Sequence, residues 1–343
     1  MVDFDWDKYS PIDNSWVPPE DRTKEMQRLH DEYCEEVQTF GDVGYNIGKV
    51  PDMVIMDVVP KQKFSKHVIR VWQTTGSCVG TSDAYSDQLA MVGDCVASEY
   101  RDGETDQIET IKPIFPFASY GVARRLMGAR GAGSGCTGSA MSRACTPEYF
   151  GYLPHDDSRF PQPTVHDGPN ESAQKWHKWT SKQELAWSHP RGWPMPESTL
   201  KIDADDFGIQ QSTRAKNTDE LVQGLAQFYP AVIASTFAAK NMRVEKGVLV
   251  GRWYGTWNHQ QSITGYWYHP ELGLLFLKAN QWYWKAHPFC PVLSKLGIYG
   301  SYWTPASDVA LEFKRGAEVF LKAGTHGFEE RTDIPWEKII TFV

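Results

Sequence analysis

The chain has 343 residues, a formal net charge of −8 and 41 % hydrophobic residues. This acidic balance argues against a protein whose main partner is nucleic acid, because phosphate binding needs a basic surface. No apolar run approaches the ~18 residues of a membrane span, and the first ten residues lack the basic and apolar regions of a secretory signal. We therefore expect a globular protein that binds neither nucleic acid nor membrane.

The first part of the chain is predicted to consist of helices joined by loops and short strands. Residues 1–50 are expected to form an N-terminal arm that carries one helix. Pro18 and Pro19 precede an acidic first turn, and apolar residues recur at three- and four-residue steps as far as Phe40. The elements predicted next are strand-like runs at 54–56 and 68–71, helices at 77–100 and 116–127, and a glycine-rich loop at 128–138.

Residues 155–200 are predicted to form an insertion that is rich in proline, tryptophan and histidine. Its length and its prolines favour an irregular segment with one helical turn near 171–179. No cysteine or carboxylate pattern completes a ligand set with its histidines, so we expect no metal site there. Its tryptophans favour packing on the body of the protein or on a partner.

The last part of the chain is predicted to contain mostly strands. A helix covers 218–228, and a buried strand follows at 231–234. Further strand-like runs lie at 247–250, 262–268 and 274–278. Because helices come first and strands later, the order favours an α+β fold over alternating βαβ units.

The most informative short segment runs from Gln73 to Gly80 and places Cys78 at the predicted start of a helix. The unpaired N–H groups and the dipole of a helix N-terminus favour the thiolate form of a cysteine. A thiolate is the nucleophile in cysteine catalysis. Cys78 is one of six cysteines, and no two have C-x-x-C spacing, so neither a zinc site nor a redox motif is indicated.

Two later segments supply the residue types that a cysteine nucleophile needs. His259 leads into one strand-like run, and Asn280 follows the next one. A hairpin between the two runs would bring these residues together. A histidine in this arrangement takes the thiol proton, and a third group fixes the tautomer of the histidine. The order Cys78, His259, Asn280 therefore predicts a thiol hydrolase.

These motifs resemble those of the papain-like (C1) cysteine peptidases, especially the bacterial and viral branch of the family. The segments that carry the resemblance are Gly76-Ser77-Cys78-Val79-Gly80 for the nucleophile, Asn258-His259 for the histidine and Asn280-Gln281-Trp282 for the family's Asn-Ser-Trp. The resemblance implies that residues 51–343 form a domain of two subdomains, one helical with Cys78 and one β-rich with His259 and Asn280, separated by a cleft. It also implies a protein or peptide substrate and no cofactor.

The resemblance implies a role for each of these residues. Cys78 is expected to be the nucleophile, His259 the general base and acid, and Asn280 the residue that orients the histidine. Trp282 is expected to shield the hydrogen bond between the histidine and the asparagine from water. Gln73 and the backbone N–H of Cys78 are expected to form the oxyanion hole.

The chain departs from the family pattern at three places near these residues, one of which is Tyr283 after Asn280-Gln281-Trp282, where the family has glycine. Gln73 lies five residues before Cys78, whereas the family's oxyanion glutamine lies six before, at the position of Trp72. Gln260 and Gln261 stand where the family has apolar residues after its histidine.

Other classes of function stay open on the sequence alone. A papain-like fold could serve as a structural or binding subunit of a larger assembly, such as a phage particle. The N-terminal arm and residues 155–200 would then be its contact surfaces. A transglutaminase or amidase that uses the same cysteine nucleophile and histidine base is a third hypothesis. With neither a signal nor a span in the sequence, the expected location is the cytoplasm or a virion.

Overall fold

The computed structural model describes residues 16–43, 47–63, 68–102, 111, 113–129, 135–155, 160–167, 175–190, 209, 211–279, 290–324, 328–331 and 334–340. The helices are α1 (Lys24–Glu36), α2 (Val58–Lys63), α3 (Cys78–Asp102), α4 (Pro116–Leu126), α5 (Gly138–Ala144), α6 (Ser181–Trp187), α7 (Thr218–Ala226), α8 (Pro291–Lys295), α9 (Ala306–Lys314) and α10 (Trp336–Ile339). The strands are β1 (Met53–Ile55), β2 (Arg70–Trp72), β3 (Ile114–Phe115), β4 (Leu153–Pro154), β5 (Thr164–Asp167), β6 (Lys175–Lys178), β7 (Gln211–Arg214), β8 (Ala231–Glu245), β9 (Val248–His269), β10 (Gly273–Ala279), β11 (Ser301–Pro305) and β12 (Glu318–Ala323).

Strands β7 to β12 and β1 form one seven-stranded sheet. Its order is β10-β11-β9-β8-β12-β7, with β1 on β9 and a further pairing of β10 with β9. The long antiparallel pair β8–β9 is its centre, and the hairpin β9–β10 follows directly in sequence. Apart from β1, the strands of this sheet follow helices α1 to α6 in the chain, so the predicted α+β fold is confirmed.

The long helix α3 connects the helical part to the sheet. On one side, Gly80 lies so close to α4 that an added Cβ would meet the Cβ of Tyr120 at 2.8 Å. On the other side, the Ser262 hydroxyl of β9 donates to the Ser82 carbonyl at 2.9 Å. The interior of α3 is buried along most of its length, and one apolar core continues from the helices to the sheet. Helix α3 therefore carries its first residue to the junction of the two parts.

The N-terminal helix is shorter than the sequence suggested. Residues 19–21 form a single 3₁₀ turn, and α1 begins at Lys24 because the Thr23 hydroxyl caps it by accepting from the Met26 N–H at 3.1 Å. Ahead of this helix, Trp16 is fully buried and its indole N–H donates to Glu318 at 2.9 Å. The described part of the predicted arm is thus packed on the body, and residues 1–15 lie outside the described residues.

The insertion at 155–200 is more regular than predicted. Its described residues form β5, β6 and α6, and the helical turn predicted near 171–179 is wrong where the structure describes it, because Lys175–Lys178 is a strand. The spacing of Trp176 and Trp179 imitates a helical period, but β2 offers a free edge and pairs in parallel with β6. Both tryptophans are buried. Residues 191–208 lie outside the described residues.

Among the described residues, no helix has both the length and the apolar character that crossing a bilayer requires.

Candidate active site

Cys78 is the first residue of α3, as the sequence predicts. The Thr81 N–H donates at 3.0 Å to the carbonyl of Ser77, the residue before the helix, and the Ser82 hydroxyl donates to the Cys78 carbonyl at 2.7 Å. Cys78 is 2 % exposed, and its thiol accepts a hydrogen bond from the backbone N–H of Gln260, with an N···Sγ distance of 3.4 Å. The start of α3 therefore touches β9 at the residue that follows His259.

His259 lies in β9, where it pairs with Ser235 of β8. Its ring is stacked on the Trp257 ring, with the centroids 4.2 Å apart and the planes inclined by 11°. Residues two apart on a strand point to the same face, so Trp257 and His259 share one face and Gln260 takes the other. The side chain of His259 is buried.

Gln260 fastens β9 to α3. Its side-chain amide donates to the Val79 carbonyl at 3.3 Å and to the Ser82 hydroxyl at 2.9 Å. It also donates to the carboxylate of Asp83. With the backbone bond to Cys78, these contacts hold the strand that carries His259 against the helix that begins with the cysteine.

Asn280 and Trp282 lie outside the described residues. The hairpin predicted to deliver Asn280 is present up to the preceding residue, since Ala279 of β10 pairs with Ser262 of β9. Ser262 is three positions after His259 on β9.

Gln73 is buried in the loop between β2 and α3. Its side-chain amide donates to the Thr75 carbonyl at 2.5 Å, and its Oε1 accepts no hydrogen bond within the described part of the chain. Trp72 points elsewhere: its ring packs edge-on against His166 with the centroids 5.2 Å apart, and the Lys178 ammonium lies 3.8 Å from the ring centroid. Trp72 is therefore engaged by the insertion, and Gln73 is the residue held in the loop before Cys78.

The structure brings to this site three residues to which the sequence assigned no role: Trp257, Gln260 and Glu184. Gln260 had a signal, because a polar residue stood where the family is apolar. Trp257 could have been found from its two-residue spacing to His259 on a strand. Glu184 had no local signal, since it is 107 residues from Ser77, to whose hydroxyl it is hydrogen-bonded.

All six cysteines lie in the described part of the chain and are thiols. Burial raises the pKa of Cys34 to about 12, and it raises the pKa values of Cys136, Cys145 and Cys290. These four side chains therefore stay protonated and weakly nucleophilic at neutral pH.

Asp83, Asp87 and Cys145 form a buried cluster whose potential ligand atoms lie within 4.8 Å of one another. A side-chain cation already sits there, because the Lys322 ammonium is paired with Asp83 and donates to the Ser142 hydroxyl at 3.0 Å. Since a buried ammonium supplies the positive charge that a metal would bring, we interpret the cluster as an internal ion-pair network.

Solved structures that are similar to this chain include several cysteine proteases. Xylellain, a cysteine protease from Xylella fastidiosa, superposes with a TM-score of 0.54 at 15 % identity, over 92 % of this chain and 97 % of that chain. The proform of the ragweed pollen allergen Amb a 11, a cysteine protease, gives 0.48 at 13 % identity over 91 % and 75 %. ProCathepsin B S9 from Trypanosoma congolense gives 0.48 at 12 % identity over 94 % and 89 %.

The superposition on xylellain establishes the fold of this chain as the α+β fold of papain-like cysteine proteases. At 15 % identity it establishes the fold alone. No protein-family model and no curated protein sequence matches the chain.

Proposed function

We propose that this protein is a papain-like cysteine peptidase that hydrolyses peptide bonds with Cys78 as nucleophile and His259 as general base and acid. The observation that carries the proposal is the contact between the Cys78 thiol and the backbone N–H of Gln260, the neighbour of His259, at 3.4 Å. It joins a cysteine at the start of a 25-residue helix to the strand that carries the histidine. The domain is proposed to comprise residues 51–343, with residues 1–50 as its N-terminal arm.

In the proposed reaction, His259 accepts the thiol proton and the Cys78 sulfur attacks the carbonyl carbon of the scissile peptide bond. As the tetrahedral intermediate collapses, the C–N bond breaks and His259 returns the proton to the leaving amine. Water then attacks the thioester with His259 as base, which releases the acid product and restores the thiol.

Supporting roles are proposed for three further residues. Asn280 orients the imidazole, and Trp282 shields the hydrogen bond between them, as in the family that the sequence resembles. Gln73 donates its amide N–H to the oxyanion together with the backbone N–H of Cys78. The Gln73 amide is buried in the loop directly before the cysteine, which is consistent with this role.

The test is covalent labelling of the full chain with an epoxysuccinyl thiol reagent at neutral pH, followed by peptide mass spectrometry. We expect modification at Cys78, because its position at a helix N-terminus favours the thiolate. Labelling is expected to be lost in His259→Ala. Because Cys78 is 2 % exposed, the extent of labelling is followed over time and compared with the total thiol content of a denatured sample.

Cys34→Ala is the matched control, because Cys34 is the more exposed thiol and burial raises its pKa to about 12. This variant should label like the wild type. In a parallel peptide-cleavage assay, Gln73→Ala should lower turnover about 10²- to 10³-fold while leaving labelling nearly unchanged. A wild-type protein that neither labels at Cys78 nor cleaves peptides would contradict the proposal and favour a structural or binding role in a larger assembly.

A further inference from the structure

A carboxylate in α6 accepts five hydrogen bonds from the loop that leads into Cys78. Glu184 Oε1 accepts from the backbone N–H of Thr74 at 3.0 Å and from the Thr74 hydroxyl at 2.7 Å. Glu184 Oε2 accepts from the N–H of Thr75 at 3.1 Å, the Thr75 hydroxyl at 2.7 Å and the Ser77 hydroxyl at 3.0 Å. One side chain thus gathers both backbone and side-chain donors of this loop.

Both side-chain oxygens of Glu184 must act as hydrogen-bond acceptors, because of the donors that face them. The N–H of Thr74 faces one oxygen and the N–H of Thr75 faces the other, and a backbone N–H cannot turn round to accept. Glu184 is fully buried, and burial raises the pKa of its carboxyl, whereas the hydrogen bonds from Thr75, Thr74 and Ser77 favour the ionised form. A glutamine here would set an amide NH₂ against at least one backbone N–H.

Helix α6 holds Glu184 in place from both ends. Thr180 and Gln183 form a reciprocal capping box at its start. Trp179 and Trp187 are buried on either side of the helix, with their rings 5.6 and 5.4 Å from the Phe115 ring. The carboxylate therefore belongs to a well-anchored element of the insertion at 155–200.

The loop that Glu184 holds also holds the donors proposed for the oxyanion. Its last residue precedes the backbone N–H of Cys78, and the Gln73 amide is fixed on the carbonyl of Thr75 at 2.5 Å. The Gly76 carbonyl accepts from the Tyr120 hydroxyl at 3.1 Å, which ties the same loop to α4. A displacement of about 1 Å in such donors is enough to cost roughly 10²-fold in rate.

We propose that Glu184 is a positioning residue that sets the oxyanion donors through the loop 74–77. It acts without touching the substrate or the Cys78 thiol. The inference rests on the proposed peptidase function, and it gives the insertion a part in that function.

The experiment compares wild type with Glu184→Gln in three measurements on the full chain. Amide hydrogen exchange in the segment 73–78 is expected to become faster, because at least one of the N–H groups of Thr74 and Thr75 loses its acceptor. Peptide cleavage is expected to lose about 10²- to 10³-fold in kcat/KM, mostly in kcat. Alkylation of Cys78 by iodoacetamide, which forms no oxyanion, is expected to change less than about 3-fold, since no oxyanion donor contributes to that reaction.

Asp94→Asn is the matched control, because it neutralises a buried carboxylate of α3 that pairs with Arg331, roughly 24 Å along the helix from Cys78. Asp94→Asn should lower stability, and any loss of peptide cleavage should be matched by a similar loss of Cys78 alkylation. If Glu184→Gln does not fold, Ser77→Ala removes one hydroxyl donor and should give a smaller loss of cleavage, again with alkylation retained.

Unchanged exchange with unchanged cleavage, or parallel loss of cleavage and alkylation in a folded variant, would overturn the inference. A wild type that neither alkylates at Cys78 nor cleaves peptides would instead contradict the proposed function. In that event the exchange measurement still reports whether Glu184 holds the loop.

Discussion

Lys322 and Asp83 form an ion pair whose two side chains are completely buried. Lys322 lies on β12 and Asp83 on α3, five residues after Cys78. The Asp83 carboxylate also accepts from the side-chain amide of Gln260, whose backbone N–H is bonded to the Cys78 thiol. This pair therefore links the sheet to the helix directly behind the candidate active site.

Asp83→Asn is expected to lower the free energy of unfolding by about 3–5 kcal/mol, because it leaves the Lys322 ammonium buried without its counter-charge. Urea unfolding measures the loss. The double variant Asp83→Asn/Lys322→Met removes both charges and should recover part of the stability. If the losses of the two single variants simply add in the double variant, the two charges are not coupled.

Asp87 should make stability fall as the pH rises from about 4 to about 7. Burial raises the pKa of Asp87 to about 7, whereas an unfolded aspartate titrates near 3.9. Between these values the folded state holds a proton that the unfolded state has released, so stability falls by up to about 1.4 kcal/mol per pH unit. The stabilisation that protonated Asp87 gives to the folded state is fully present below pH ~4 and is lost as the pH rises through ~7.

Asp87→Asn removes this proton linkage while keeping a neutral side chain of nearly the same shape. Urea midpoints of wild type and variant, measured from pH 4 to 8, should diverge across that window, with the variant gaining relative stability as the pH rises. Parallel curves for the two proteins would show that Asp87 is already ionised in the folded state at pH 4.

Glu318 should be the anchor of the N-terminal segment. Its carboxylate accepts from the Trp16 indole at 2.9 Å and from the buried Arg22 guanidinium, and it also accepts from the Ser139 N–H at the start of α5 at 2.9 Å. Glu318→Gln leaves Arg22 without its counter-charge and is expected to cost about 3–5 kcal/mol of unfolding free energy. Trypsin should then cleave the native protein faster after Arg22.

Glu20→Gln is the control for this prediction, because Glu20 is an exposed carboxylate in the same segment. It should change neither stability nor cleavage, since isolated surface charges contribute little. Equal effects of the two substitutions would mean that the loss of one negative charge, and not the loss of the Glu318 contacts, releases the segment.

Trp257 should limit the orientation of the His259 ring. Removing a stacked aromatic partner costs about 0.5–1.5 kcal/mol, so Trp257→Ala is expected to lower kcat/KM for peptide cleavage roughly 2- to 10-fold. Trp257→Phe keeps a ring and should retain most of the activity. Tyr254→Ala is the control, because Tyr254 is 56 % exposed on the same strand. A Trp257→Ala variant that is as active as the wild type would exclude this role for Trp257.

The local pattern of the sequence was enough to predict the elements that carry the two residues proposed to react. Small residues followed by an apolar helical period predicted that α3 starts at Cys78, and the structure begins the helix at that residue. The strand-like runs around 262–268 and 274–278 predicted the hairpin of β9 and β10, which the structure pairs. These features depend on hydrogen bonds and side-chain patterns within a few residues, so the sequence determines them directly.

The contacts around those residues were decided only by the tertiary structure. Glu184 reaches the loop before Cys78 from an insertion helix 107 residues beyond Ser77, and Lys322 meets Asp83 across 239 residues of chain. The strand at Lys175–Lys178 also formed against its local helical spacing, because β2 supplied a pairing edge. Such choices follow from the free energy of burying charges and satisfying backbone groups in the folded packing, to which no short stretch of sequence contributes alone.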